Sequence, residues 1–373
     1  MRKFFIVLSV LTIPFISVSC KKGGTVPNPE PDLRTPYKVL FTNTYKSLAV
    51  ENRELSRQDP KNPDKEILKL IENAKESINI ANYELESIDI SNKLIEKFKK
   101  GISVKIVTET DHLKHDALVS LKTAGAIIKD DKREGYMHHK FMVIDNKIVS
   151  LGGINFTTRS LFEHNNDLLI IESTKLAENF NTEFSRLYDK GLFNGKDHSV
   201  PNADISMPDI TSIKTYFSPD GGTKKAIINE LKNAKKSIKF MAFSFTEKDI
   251  ASMMISKFKE KITVDGIFDT CQIDKYSQFN TLKSNKLNVL KDGNQALMHQ
   301  KTMIVDDNTV ITGSYNFSVS AETKNNEDCV IIKSDKIAAL YVQEFERLKK
   351  AALGNVNIPP YDHPACRGDS QNP

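Results

Sequence analysis

The apolar positions change period along the chain in an order that is then repeated. EILKLIENA (66–74) spaces its apolar residues as a helix does, SINIANYEL (77–85) alternates like a strand, SNKLIEKFKKG (91–101) returns to the helical period and stops at Gly101, and ISVKIVTE (102–109) is a short buried strand. A helix near 114–124 follows, then two apolar strands, KFMVID and IVSLGG, joined by a turn at Asn146. The strand DLLIIES and a helix over 175–190 close the unit. Helices alternating with apolar strands predict an α/β sandwich whose sheet is covered on both faces.

The same order recurs to about residue 352. ENAKESINI (72–80) matches KNAKKSIKF (232–240), and ISVKIV (102–107) matches ITVDGI (262–267), at an offset near 160. That period is too long for a solenoid and predicts two fused, related domains. The expected organisation is an N-terminal domain over 38–195, a linker over 196–212 that takes in most of the Gly/Pro/Asn/Asp-rich run GLFNGKDHSVPNADISMPDI, a C-terminal domain over 213–353 and a flexible tail over 354–373. At 373 residues the chain is long enough for each half to bury its own core.

Before the repeat, Arg2 and Lys3 precede the apolar run FFIVLSVLTIPFISVS, which has the length of a signal-peptide core and is short for a membrane span. Residues 1–19 are therefore expected to be an export signal. Ser17-Val18-Ser19-Cys20 resembles a relaxed bacterial lipoprotein cleavage site, with Cys20 as the lipidated residue, and 20–37 reads as a Pro/Gly-rich tether. An ordinary secretory signal is the alternative. The expected location is the bacterial cell envelope, with the chain held to a membrane by its lipid.

The formal charge of +5, from 53 basic and 48 acidic residues, falls to about +3 once a signal carrying Arg2 and Lys3 is removed. That mild excess tolerates an acidic substrate without arguing for nucleic acid. With Cys20 lipidated, Cys271, Cys329 and Cys366 remain, without CxxC or His/Cys spacing that suggests zinc. Cys329, in an apolar strand, reads as a buried inert thiol.

The candidate chemistry lies in HHKFMVIDNKIVSLGGIN (138–155), which returns as HQKTMIVDDNTVITGSYN (299–316). His138 and Lys140 are two apart and share one face of an extended strand, as do His299 and Lys301. Asp145 and Asp306 fall where the strand gives way to a turn; they belong to the motif's candidate catalytic set, although their place suits them to fixing it by hydrogen bonds. Gly152-Gly153 and Gly313-Ser314 allow a tight backbone, after which Asn155 and Asn316 offer amide donors to a phosphate oxygen. His139 faces away from His138, and His112 and His115 stand three apart without HExxH chemistry, so these read as surface or partner-satisfied histidines.

HxKxxxxD followed by G-G/S-x-N, twice in one chain, resembles the phospholipase D superfamily from about 64 to 352, and FSPDGG (217–222) with AETKNNED (321–328) is similar to its bacterial endonuclease branch. The resemblance implies tandem phospholipase D-like α/β/α domains with pseudo-two-fold symmetry, mixed sheets and both motifs at the domain interface. It implies a phosphodiesterase that needs no cofactor, divalent metal or second copy of the chain to act, with the oligomeric state left open. One imidazole would attack phosphorus to give a phosphohistidine while the other protonates the leaving alcohol, and Lys140, Asn155, Lys301 and Asn316 would bind the phosphate. General acid–base help gives only about 10²–10⁴-fold of a total approaching ~10¹⁷-fold, so charge stabilisation has to carry most of the rest.

In that family an acidic residue about eleven positions after each motif Asn hydrogen-bonds the imidazole of the opposite half. Glu327 holds this place after Asn316, whereas Asn166 holds it after Asn155. The expectation is His138 as nucleophile oriented by Glu327 and His299 as general acid, with Asp167 as an alternative partner for His299. Phospholipid and nucleic acid both remain open as substrate. A catalytically idle surface adhesin is the reading from another class, hinted at by the lipoprotein address and by Arg367-Gly368-Asp369.

Overall fold

A computed structural model describes residues 35–42, 50–193, 195, 198–294 and 296–354. The signal, Cys20, most of the tether, Cys366 and the Arg-Gly-Asp tail lie outside the described residues.

Two mixed sheets organise the chain. The first holds β1 (Tyr37–Phe41), β2 (Ser77–Asn82), β3 (Ser103–Thr108), β4 (Ile128–Asp130), β5 (Lys140–Ile144), β6 (Ile148–Gly152) and β7 (Asp167–Glu172), in the spatial order β1-β7-β6-β5-β2-β3-β4. The second holds β8 (Ile205–Met207), β9 (Ile210–Ser218), β10 (Ser237–Ala242), β11 (Thr263–Phe268), β12 (Asn288–Lys291), β13 (Lys301–Val305), β14 (Thr309–Gly313) and β15 (Glu327–Lys333), in the order β12-β11-β10-β13-β14-β15-β9-β8. In each sheet the strands linked by a crossover helix run parallel, β2 with β3 and β10 with β11, and the later hairpin strands add antiparallel.

Period-2 sorting explains why the strands read as unbroken apolar runs. Met142 and Ile144 of β5 pack outward with Ile67, Ile71, Ile90 and Leu94 of helices Pro63–Asn73 and Ile88–Lys99. Phe141 and Val143 pack inward on Phe180 and Phe184 of helix Thr174–Tyr188. Both faces are buried, so neither alternate position is polar. The second half has a matching outer cluster around Ile238, Phe240 and Met254.

The inner faces do not form separate cores. One apolar cluster contains Phe141, Val149 and Phe180 from the first half together with Ile304, Val310, Tyr341 and Phe345 from the second. The expectation that each half buries its own core holds for the outer layers; the inner layer is shared, and the described residues from Pro36 to Gly354 belong to one compact unit. No helix among the described residues is long and apolar enough to cross a membrane.

Structure also enters the run read as a linker over 196–212. Ile205–Met207 is the edge strand of the second sheet and pairs with the start of β9 through a bulge, Ile205↔Ile213 and Met207↔Ile210. Pro208 and Asp209 interrupt the pattern between them, and Asp209 takes a positive φ of 66°. An alternation broken after three residues gives no readable period, so pairing with a neighbouring strand decides it.

Candidate active site

The two motifs fold alike because their turns and bends are alike. At the end of β5, Asp145 and Asn146 take φ values of 51° and 52°, and Asp306 and Asp307 take 53° and 56° after β13. Asp and Asn tolerate this left-handed conformation, and the tight hairpin brings β6 and β14 back alongside. Each returning strand ends on a glycine with positive φ, Gly152 at 142° and Gly313 at 145°, where a Cβ would stand 2.3 Å from the carbonyl oxygen of Asp167 or Asp328. The chain bends there to present Asn155 and Asn316, and Thr157 and Ser318 then cap the short helices Thr158–Phe162 and Val319–Thr323.

The halves cross-brace at the motif histidines. The His138 amide donates to the Asn326 carbonyl and the His299 amide to the Asn165 carbonyl, both at 2.9 Å. Each histidine is thus fastened through its backbone to the half that did not contribute it. Both rings are almost wholly buried, His138 at 1% and His299 at 2% exposure.

His138 Nδ1 lies 2.7 Å from Glu327 Oε2, across the seam. The Ser314 hydroxyl donates to the same oxygen at 2.6 Å, and Asn325 Nδ2 donates to Oε1 at 3.3 Å. Ser314 Oγ itself accepts from the Asp328 amide, which leaves its proton for Glu327. Donors on both carboxylate oxygens suit Glu327 as an acceptor, so Nδ1–H donates to it and the lone pair is left on Nε2. Burial pushes Glu327 up to about 8, against the pull of Lys140 and of these donors. His138 is held well below the usual imidazole range by burial and then by Lys140 and Lys301.

His299 has a neutral partner. Its Nδ1 lies 3.1 Å from the Gly153 carbonyl and 3.0 Å from Asn166 Oδ1. Asn166 Nδ2 donates to the carbonyl and hydroxyl of Ser160, which fixes the amide with its oxygen towards the imidazole. His299 therefore also presents Nε2 with a lone pair. Burial, then Lys301, His164, Lys140 and His138, hold it well below its ordinary value. Asp167, the alternative partner, is engaged elsewhere: it accepts from Thr312 at 2.6 Å, Tyr341 at 2.8 Å and the Gly153 amide at 3.1 Å.

Lys140 and Lys301 are buried beside these rings. Each gives one ammonium proton to the carbonyl of its own motif histidine, at 2.8 and 2.9 Å. Burial draws Lys140 down to about 7, and burial with the neighbouring Lys140 charge draws Lys301 far below the usual lysine range. Two buried ammonium groups that repel each other are costly, and a bound anion would offset that cost. Asn155 Oδ1 and both amide atoms of Asn316 are buried without a hydrogen-bond partner. Unsatisfied buried amides are rare in native interiors, and these are open to a ligand or to water.

Asp145 and Asp306 fall outside this constellation. The Asp145 carboxylate accepts from the backbone amides of Lys75, Glu76 and Ser77 at 2.8–3.1 Å, and Asp306 accepts from Lys235, Lys236 and Ser237 at 2.7–3.1 Å. Each sits at the far end of its strand from the motif lysine, about 17 Å away at 3.3 Å per residue. They anchor the start of β2 and β10, the hydrogen-bonding place that their position at the strand end suggested.

Sequence reasoning missed two aromatic supports. Lys140 Nζ stands 5.0 Å from the ring centre of Tyr83, and Lys301 Nζ 4.8 Å from that of Phe243. The same rings meet His138 and His299 edge-on at 4.9 and 4.6 Å. Tyr83 and Phe243 are 160 residues apart, so superposing the repeats would have paired them. His139 is buried between Asp328 Oδ2 and Glu183 Oε1, each at 3.2 Å, a partner-satisfied histidine. Cys329 is buried with a free thiol, as expected.

A duplicated α/β sandwich with a paired His/Lys/Asn motif at its seam defines a phosphodiesterase-type enzyme. A family model described as cardiolipin synthase, PLD-like domain, matches residues 67–188 and again 227–349, and the chain belongs to the phospholipase D-like family. It is 30% identical over 167 residues to a phospholipase D of Rickettsia prowazekii (strain Madrid E), covering 43% of this chain and 82% of that protein. It is 28% identical over 118 residues to a mitochondrial cardiolipin hydrolase of Chlamydomonas reinhardtii, covering 31% and 53%. Among solved structures, phosphatidylserine synthase of Haemophilus influenzae Rd KW20 shares the fold, with a TM-score of 0.60 at 16% identity over 77% of this chain and 84% of that one.

Proposed function

We propose that the protein hydrolyses phosphodiesters of phospholipids through a covalent phosphohistidine on His138. The observation that carries this reading is the pair of buried imidazoles at one seam, each pinned at Nδ1 so that Nε2 is left for chemistry. A phosphodiester entering between Lys140 and Lys301 brings the negative charge that restores both ammonium groups and raises His299 enough to take up a proton. Nε2 of His138 attacks phosphorus, the bond to the leaving alcohol breaks, and His299 gives its Nε2 proton to that oxygen. His299 then takes a proton from water, whose oxygen attacks phosphorus and releases His138. Lys140, Lys301, Asn155 and Asn316 stabilise the charge on the phosphoryl oxygens. His138 is assigned as nucleophile because a carboxylate supports the cation it becomes, whereas His299 has only an amide and a carbonyl.

The lipid assignment is supported by the names of the relatives, a phospholipase D and a cardiolipin hydrolase. A lipid-anchored, exported chain, as read from the first twenty residues, would meet that substrate at a membrane. The test uses the mature protein with phosphatidylcholine or cardiolipin vesicles and, separately, plasmid DNA, all in excess EDTA. Turnover of vesicles that His138→Ala abolishes is expected. Cleavage of DNA alone moves the assignment to a nuclease, loss of turnover in EDTA removes the metal-free mechanism, and no turnover of either favours a binding module. Radiolabel trapped on His299 rather than His138 reverses the two roles.

A further inference from the structure

The two halves differ beside the motif. Glu84 follows β2, and His112 and His115 follow β3, in the 3-10 turn Thr110–His112 and at the N-cap of helix Asp116–Thr123. Glu84 Oε1 is 2.9 Å from His115 Nε2 and 3.6 Å from His112 Nδ1, and the ligand atoms of all three lie within 4.8 Å of one another. Metal–ligand bonds of about 2.0–2.2 Å put tetrahedral ligand atoms roughly 3.3–3.6 Å apart, so these residues need only small side-chain rotations to share an ion. His112 Nδ1 stands 3.6 Å from Glu84 Oε1, the spacing of two ligands on one ion rather than of a hydrogen bond. In the second half the positions 160 residues on from Glu84 and His112 are Ser244 and Gln272, which do not make such a set.

We propose that Glu84, His112 and His115 form a binding site for a divalent transition-metal ion of the zinc class, without a counterpart among the described residues of the second half. Two imidazoles and one carboxylate are the donors such ions prefer over magnesium or calcium, and three protein ligands leave a coordination position open. Glu86, Asp111 and Asp116 add negative charge around the two imidazoles, while the Lys140 cation acts on Glu84 and His112 from the other side of the balance. The site adjoins the reacting centre through Tyr83, whose ring meets His112 at 4.6 Å and His138 at 4.9 Å. The ion takes no part in the phosphoryl-transfer steps proposed above.

The test is cobalt(II) titration of the metal-stripped mature protein, read by visible d–d absorption. One ion per chain, displaced by zinc, is expected. The double variant His112→Ala/His115→Gln should lose the absorption, and Glu84→Gln should weaken binding at least tenfold. His115→Cys should keep the ion and add a thiolate-to-cobalt charge-transfer band, which identifies the ligand even if the double variant folds poorly. Absence of stoichiometric binding, or a spectrum unchanged in both the double variant and His115→Cys, overturns the proposal. Because the readout is binding, it stands or falls separately from turnover of any phosphodiester.

Discussion

Replacing Glu327 with glutamine isolates the carboxylate that supports His138. The side chain keeps its length and an oxygen at the 2.7 Å contact, but can no longer become the anion that offsets a cationic His138 within a fully buried pair. A hydrogen bond to a charged group contributes about 1.5–3 kcal/mol and a neutral one about 0.5–1.5 kcal/mol, a difference near ~1.5 kcal/mol. The full Coulomb attraction once His138 becomes cationic, of which that difference is a part, sets the ceiling: two unit charges ~4 Å apart at an effective dielectric of 20 interact by about 4 kcal/mol. At 1.36 kcal/mol per decade, the fall in kcat should lie between about tenfold and 10³-fold. KM should change little, because Glu327 bonds His138, Ser314 and Asn325 and not the phosphate. Steady-state hydrolysis of bis(p-nitrophenyl) phosphate, with trapping of the phosphoenzyme, reads both quantities. A kcat within twofold of the parent, or a loss appearing only in KM, refutes the assignment of Glu327 to His138 in the reaction.

Gly153→Ala places a Cβ 2.7 Å from Asn166 Oδ1 and 3.2 Å from the His299 carbonyl, so the amide that orients His299 must shift; kcat should drop at least tenfold while urea unfolding shows a loss of about 1–3 kcal/mol. Asp145→Ala removes the acceptor for three backbone amides and should cost about 1–2 kcal/mol after allowance for its partial exposure, with kcat preserved at low temperature. Burial raises the Asp145 pKa, but the amides of Ser77, Glu76 and Lys75 outweigh it and the net shift is downward; its stabilisation is therefore complete above the unfolded value near ~3.9 and fades as pH falls below it, so the two denaturation midpoints should converge in acid. Lys140, drawn down to about 7 by burial, should regain its proton when an anion binds; calorimetry of tungstate binding at pH ~8 in buffers of different ionisation enthalpy should show proton uptake that Lys140→Met diminishes, and an enthalpy independent of buffer would contradict this.

The duplicated hydrophobic pattern was enough to place the α/β elements that carry the site. A helix or strand with one buried face advertises its period, and DLLII or KFMVI advertises burial on both faces. The paired motifs were equally legible, since a strand's two-residue repeat puts His138 with Lys140 and His299 with Lys301 whatever surrounds them. The crossing of Glu327 to His138 followed from family likeness rather than from spacing. Edge strands such as Ile205–Met207 were not legible, because partner strands rather than their own residues hold them.

What the sequence by itself determined was local: the order of elements, the turns that Asp145-Asn146 and Asp306-Asp307 permit, and the two sets of chemistry-bearing side chains. Tertiary structure alone decided which of these groups meet. It joined the inner faces into one core, gave His299 the amide of Asn166 rather than the carboxylate of Asp167, turned Asp145 and Asp306 into backbone anchors, and set Glu84 beside His112 and His115. The reason is physical: periodicity reports which face of an element avoids water, but a hydrogen bond or an ion pair depends on a separation of a few ångströms between residues more than a hundred positions apart, and only the packed chain fixes that distance.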